Sequence, residues 1–251
     1  MLDNIDISNI LFLDIETVPG TPQYSDLDET FQTLWKHKAK SILKKNGEEA
    51  TEEEGTDTYN RAGIYAEFGK IICISVGIFH FDKEAGEWKT RLKSYADDDE
   101  YVLLKEFGEM LTKKYNNPNV HCLCGHNIKE FDIPYICRRM LIHQLPFPAA
   151  LDISGKKPWE TKHLLDTMEL WKFGDIKSFS SVKLLAAVFG FPSPKDDIDG
   201  SDVARVYYEE KDLPRIARYC EKDVVAVMQL MLKFKRMPLK LTIDGKVIDQ
   251  G

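Results

Sequence analysis

The chain has 251 residues, 43% hydrophobic and 11% aromatic, which is enough to bury one large α/β core or one domain with an extension. No apolar run approaches the about 20 residues of a membrane span, and Met1-Leu-Asp-Asn-Ile-Asp lacks the basic and apolar regions of a signal peptide. The expectation is a cytoplasmic chain with no membrane partner. A net charge of −7 argues against a broad basic surface that grips long duplexes, but leaves open a nucleic-acid enzyme whose cleft is neutralised by cations.

In chain order, residues 9–16 read as a strand that stops at Pro19-Gly20. Residues 21–67 look like an insertion: 26–45 has helical periodicity (Leu27, Phe31, Leu34, Ile42), and the acidic run from Glu48 to Asp57 reads as a solvated loop with little to bury. Residues 69–79 form a β-branched strand, 82–86 a turn and 88–95 the partner strand of a hairpin. Asp97 and Glu100 have capping-box spacing ahead of a helix with the stripe Leu103, Phe107, Met110 and Leu111, ended by Asn116-Asn-Pro118. Residues 120–125 are a buried strand and 132–143 a helix that tolerates Pro134 in its first turn. Pro146, Pro148 and Gly155 mark a loop, and 163–166 a short strand. Helices follow over 178–190, 201–209 and 212–235, then a tail (237–251) with a turn at Asp244-Gly245. This order predicts one α/β domain over 1–251, its sheet flanked by helices. Glycine-rich nucleotide signatures and internal repeats are absent.

Three clusters carry chemistry. In Leu11-Phe-Leu-Asp-Ile-Glu-Thr17, strand alternation sends Asp14 and Glu16 to one face and Ile15 to the other. Such a pair is either a solvated edge or a site whose repulsion and desolvation a divalent cation relieves. In His126-Asn-Ile-Lys-Glu-Phe-Asp132, at a strand–helix junction, Asp132 is a candidate helix cap or ligand. Asn127 is a turn residue or a substrate contact. Phe131 is a core anchor or a base-stacking ring. In Tyr219-Cys-Glu-Lys-Asp223, a helical stripe of Leu213, Ile216, Cys220, Val224, Val227 and Met231 leaves Tyr219 and Asp223 one turn apart on its margin. The five cysteines lie in apolar contexts and are expected to be reduced and buried. Cys122-Leu-Cys124 has no second pair to make a metal site.

Asp-x-Glu on a strand, Asn-x3-Phe-Asp at a strand–helix turn and Tyr-x3-Asp on a helix, spaced about a hundred residues apart, resemble the DEDD superfamily of 3′–5′ exonucleases in its tyrosine-bearing branch. The pattern is most similar to the exonuclease domain of family B DNA polymerases and to the small stand-alone bacterial proteins related to it. Residues 195–203 also look like the stretch before the third motif in those relatives. The resemblance spans about residues 9–235.

It implies an RNase H-like mixed five-stranded sheet flanked by helices, and 3′–5′ exonuclease activity through two divalent cations, Mg²⁺ or Mn²⁺. Asp14, Glu16, Asp132 and Asp223 would hold the cations, and Tyr219 would orient the attacking water. Thr17, Val18, Asn127, Phe131 and Lys195 would meet the substrate. The partner would be a nucleic-acid 3′ end, single-stranded DNA in preference to RNA, and the products nucleoside 5′-monophosphates. A binding module that grips 3′ ends without cutting, and an RNA-directed exonuclease, are the competing readings. The histidine-bearing branch would place histidine where Arg218 stands, so His126 is read as structural.

Overall fold

The computed structural model describes residues 2–191, 198–238, 241–243 and 246–248. Lys195 and the Asp244-Gly245 turn lie outside the described residues. Five strands, β1 (Ile10–Pro19), β2 (Gly69–Asp82), β3 (Glu87–Ala96), β4 (Cys122–Gly125) and β5 (Leu164–Asp166), form one sheet in the order β3-β2-β1-β4-β5. β1/β2 and β2/β3 are antiparallel, whereas β1/β4 and β4/β5 are parallel. The expected mixed five-stranded α/β sheet is present. The helices are α1 (Glu29–Ile42), α2 (Glu52–Thr58), α3 (Glu100–Lys114), α4 (Asp132–Ile142), α5 (Thr167–Lys172), α6 (Val182–Phe189), α7 (Val203–Arg205) and α8 (Leu213–Phe234). A π-helical turn, Val206–Glu210, follows α7. In the tail, β6 (Leu241–Ile243) pairs antiparallel with β7 (Lys246–Ile248).

Alternation along β1 divides the core. Leu11, Leu13 and Ile15 pack with Leu103, Phe107, Ile133 and Ile136 from α3 and α4. Ile10 and Phe12 pack on the other side with Val224, Val227, Met228 and Met231 of α8. Each of these buried side chains contributes about 1.5–3 kcal/mol. α8 lies close to the sheet because β2 carries Gly77 under it. A Cβ there would stand 2.6 Å from Met228 Sδ and 2.9 Å from Val224 Cγ1. Asp212 caps α8, accepting from the Arg215 N–H at 3.0 Å, and Pro214 occupies its first turn.

Four local expectations are corrected. The acidic run is not a loop throughout, because α2 forms within it. The Thr51 hydroxyl accepts from Glu54 N–H (3.2 Å) and the Glu54 carboxylate accepts from Thr51 N–H (2.8 Å), a reciprocal cap that supplies what the apolar pattern lacks. α2 then docks on α1 through Trp35, whose Nε1–H donates to Gly55 O at 2.9 Å. The buried residues of α1 are Trp35 and Ala39, while the expected stripe members Phe31 and Leu34 are exposed. The cap of α3 is Asp99 rather than Asp97. Glu100 instead turns inward, accepts from Ile71 N–H at 2.7 Å and pairs with Arg139 and His143. Finally, the helix expected from 178 begins at Val182, behind the cap Ser181.

Candidate active site

Pairing places Asp14 opposite Ser75 and Glu16 opposite Cys73, after which the register slips so that Thr17 faces Ile71. The slip is a β-bulge beside the two acids, a feature that locally re-aims side chains. Both carboxylates project to the α8 side, and α8 meets them with Cys220. One oxygen each of Asp14 and Glu16 and the Cys220 sulfur lie within 4.8 Å of one another. The Cys220 thiol donates to Asp14 O at 3.4 Å and Asp14 Oδ2 at 3.5 Å. Burial pushes that thiol well above the usual range, so it stays protonated and serves as a donor. Beside Cys220 on α8, Tyr219 hydrogen-bonds Asp223 one turn on, and burial followed by the Asp223 charge raises the phenol's pKa.

Asp132 arrives from the opposite layer. It is the first residue of α4, with Phe131 in the cap position, so its expected capping role goes to no side chain. Asp132 is buried, and burial lifts its carboxyl to about 7 against the opposing pull of its own and Ile15's backbone N–H groups. Asp14 is part-exposed at the cleft as a residue, yet protein surrounds its carboxylate. Desolvation, then the charges of Asp132, Glu16 and Asp223, hold it well above the carboxylate range. Desolvation and then Asp223 do the same for Glu16. The charges of Asp132 and Asp223 thus reach both strand acids, Asp14 and Glu16.

The remaining expected contacts divide. Thr17 is half-buried next to the bulge, within hydrogen-bonding influence of the Tyr135 hydroxyl. The Val18 side chain is fully buried among Ile72, Val203 and Ile216, which leaves only its backbone as a possible contact. Asn127 takes the left-handed conformation (φ 66°), and its carbonyl accepts from Phe131 N–H at 3.0 Å. Phe131 is half-buried against the core, 5.6 Å from the Tyr135 ring. His126 bridges Thr167 Oγ1 (2.9 Å) and Ser180 O (2.8 Å), in keeping with a structural role.

Two further residues shape the site without belonging to the expected ligand and substrate set; the sequence suggests Asp166 only as a support of the cleft and not as a ligand. Cys220 was legible only as a member of an apolar stripe. Asp166 is buried at the end of β5 and accepts from the backbone N–H groups of Asn127 (3.0 Å), Lys129 (3.2 Å), Met168 (2.9 Å) and Glu169 (3.3 Å). It caps α5 and clamps the turn that delivers Asp132. Its sequence signal was a carboxylate after a short apolar run, immediately before a helix.

Among solved structures, the fold is similar to the family B DNA polymerase of the hyperthermophilic archaeon Pyrobaculum calidifontis, with a TM-score of 0.52 and 15% identity over 90% of this chain. The chain spans 24% of that polymerase's length. Residues 64–248 match the family of predicted 3′–5′ exonucleases related to the exonuclease domain of PolB. Asp132, Tyr219 and Asp223 fall inside the matched segment, while Asp14 and Glu16 precede it. Over that stretch, most of its length, the chain belongs to the PolB-related family of predicted 3′–5′ exonucleases.

Proposed function

We propose that this protein is a metal-dependent exonuclease that hydrolyses phosphodiester bonds from the 3′ end of nucleic acid, with single-stranded DNA preferred, and releases nucleoside 5′-monophosphates. The observation that carries this reading is the convergence of Asp14, Glu16, Asp132 and Asp223: burial raises the carboxyls of the first three, and the charges of Asp132 and Asp223 raise those of Asp14 and Glu16 further. Hard oxygen donors held together against their repulsion suit hard cations. These four residues would hold a pair of Mg²⁺ or Mn²⁺ ions. Bound there, the ions would supply charge neutralisation at the phosphate and a lowered pKa for water.

The protein's own groups do the rest. Tyr219 keeps its proton at any physiological pH, because its pKa is raised. Its hydroxyl donates to Asp223 and offers a lone pair to a water, which makes it an orienting group and not a base. Cys220 holds one Asp14 oxygen from beneath, fixing the rotamer of the acid. The Asp166 clamp holds Asp132 on the opposite wall. The Thr17 and Val18 backbone lies at the cleft edge where a terminal sugar would sit, and Asn127 and Phe131 flank the next nucleotide. Lys195 lies outside the described residues and adds nothing to the geometry.

The test is digestion of matched 5′-labelled DNA and RNA oligomers with Mn²⁺ or EDTA. A metal-dependent ladder of single-nucleotide steps from the 3′ end, lost in Asp14→Ala and Asp223→Ala, is the expected result. Retained activity in both purified variants would refute the assignment.

A further inference from the structure

The protein is acidic overall, yet residues 153–183 carry six lysines against four acids, and one of those acids, Asp166, is buried in its clamp. Interleaved with the lysines are large apolar side chains that the fold does not use. Phe173 is 92% exposed, Ile176 80%, Phe179 69% and Trp159 63%. Phe173 is the extreme case: it stands at the end of α5 in the left-handed conformation (φ 45°), followed by Gly174 at φ 89°. A bulky residue pays steric strain there, and its ring recovers no packing energy in return. Two of these rings already carry a cation. Lys172 Nζ sits 4.0 Å from the Phe179 centroid and Lys157 Nζ 5.1 Å from that of Trp159. Among the described residues, Lys156, Lys162, Lys172 and Lys177 form no ion pair, whereas Lys129 pairs with Glu169.

This surface is fastened to the acidic cleft. The Asp166 clamp and the two bonds of the His126 ring tie residues 166–180 to the turn that carries Asp132. Between them lies a cavity of about 340 Å³, lined by Asn127, Lys129, Lys156, Thr161, Asp166 and Lys172. Exposed rings interleaved with unpaired lysines match what sequence-tolerant binding of single strands needs: π-faces for bases and cations for phosphates. The geometry points to a binding track for single-stranded nucleic acid along residues 156–179, in which Trp159, Phe173 and Phe179 stack on bases and Lys156, Lys172 and Lys177 meet phosphates. The track names where the strand leading to the proposed 3′-end site would lie, and to that extent it rests on the exonuclease reading. The same chain therefore combines net negative charge with a local cationic route, so only a strand threaded along this rim is attracted.

The experiment reads binding apart from cleavage. Fluorescence anisotropy of labelled dT and rU oligomers of about twelve nucleotides, several stacking steps long, is measured in EDTA on the whole chain. Its variants are W159A/F173A/F179A, K156S/K172S/K177S and the control F81A, an exposed ring on the distant β2–β3 hairpin. The triple-aromatic variant should weaken binding at least about a hundredfold, at about fivefold or more per ring. The triple-lysine variant should flatten the dependence of log Kd on log salt by about two units. F81A should match the wild type, and all should keep the wild-type melting temperature. Preference for dT over rU or the reverse identifies the strand chemistry without altering the assignment of the track.

Absence of oligomer binding by the wild type, or unchanged Kd in the aromatic variant, overturns the track. So does concentration-dependent self-association of the wild type that the aromatic variant abolishes while oligomer binding stays unchanged, because the rings would then serve a second copy. Intact binding through these residues without hydrolysis in Mn²⁺ leaves the track standing and defeats the exonuclease reading instead.

Discussion

Replacing Asp14 by Asn should stabilise the metal-free protein and remove the stabilisation that a divalent cation confers. In the absence of cations, Asp14 contributes a carboxylate that desolvation and the charges of Asp132, Glu16 and Asp223 oppose. The scale of what burial does to a carboxyl here comes from Asp132, on α4, which it lifts from 3.8 to about 7. At 1.36 kcal/mol per pKa unit, holding such a group ionised at high pH costs about 4 kcal/mol. An amide at position 14 removes one charge and still accepts from the Cys220 thiol, but it introduces an N–H in need of a partner, which costs about 1–3 kcal/mol. The net gain in EDTA at pH 8 is then about 1–3 kcal/mol, or about 2–10 °C in melting temperature for a chain of this size. Wild-type protein at a hundredfold excess of Mn²⁺ over its dissociation constant should gain about 2.7 kcal/mol, and the variant only a small part of that. Thermal melts by circular dichroism in EDTA and in MnCl₂ give all four numbers. If the variant melts below wild type in EDTA and gains as much as wild type from Mn²⁺, the acids are not a strained cation site.

Burial of Asp132 sets the pH response. Because the Asp132 carboxyl is raised when folded, the folded state binds more protons than the unfolded between about pH 4 and 7. Its contribution is fully present below the unfolded value and is lost as pH rises through about 7; denaturant titrations of the metal-free protein should show stability falling over that window, and Mn²⁺ should flatten the fall. Tyr219→Phe should lower the turnover number about ten- to a hundredfold while leaving the Mn²⁺-induced melting shift near wild type, since in the proposed mechanism the phenol orients water and holds no cation. Asp166→Ala leaves four backbone N–H groups without their acceptor and should cost about 2–4 kcal/mol. It should also lower activity by displacing Asp132, with Asp166→Asn recovering part of both in the same melts and oligomer assays.

How much was legible in the chain depends on the range of the physics involved. The pairing of Asp14 with Glu16 follows from the two-residue repeat of a strand, and that of Tyr219 with Asp223 from the turn of a helix. Both are properties of a few consecutive residues, and both stand as read. Misreadings arose where a local pattern was ambiguous or a distant partner chose the outcome. Glu48 to Asp57 looked too polar to fold, but a capping box and the docking of Trp35 on Gly55 are independent of hydrophobic periodicity. The face of α1 rotated to bury Trp35 and Ala39 because an aromatic cluster with Tyr59 and Phe68 lies on that side. Asp97, Asp98 and Asp99 are equivalent cap candidates in sequence, and Glu100 selects among them by turning inward to Arg139.

From the amino-acid order alone came the strand and helix types and an α/β sheet with flanking helices, since alternation and helical period act within a few residues; the mixed five-stranded sheet and the proposed set of acids came through the resemblance of three motifs to a known family. Tertiary structure alone decided that the charge of Asp132, on the first turn of α4, reaches Asp14 on β1, that Cys220 props that acid and that Asp166 clamps the turn before α4. Those outcomes depend on sheet order, on the bulge after Glu16 and on the close approach of α8 over Gly77, which are set by packing between segments far apart in the chain.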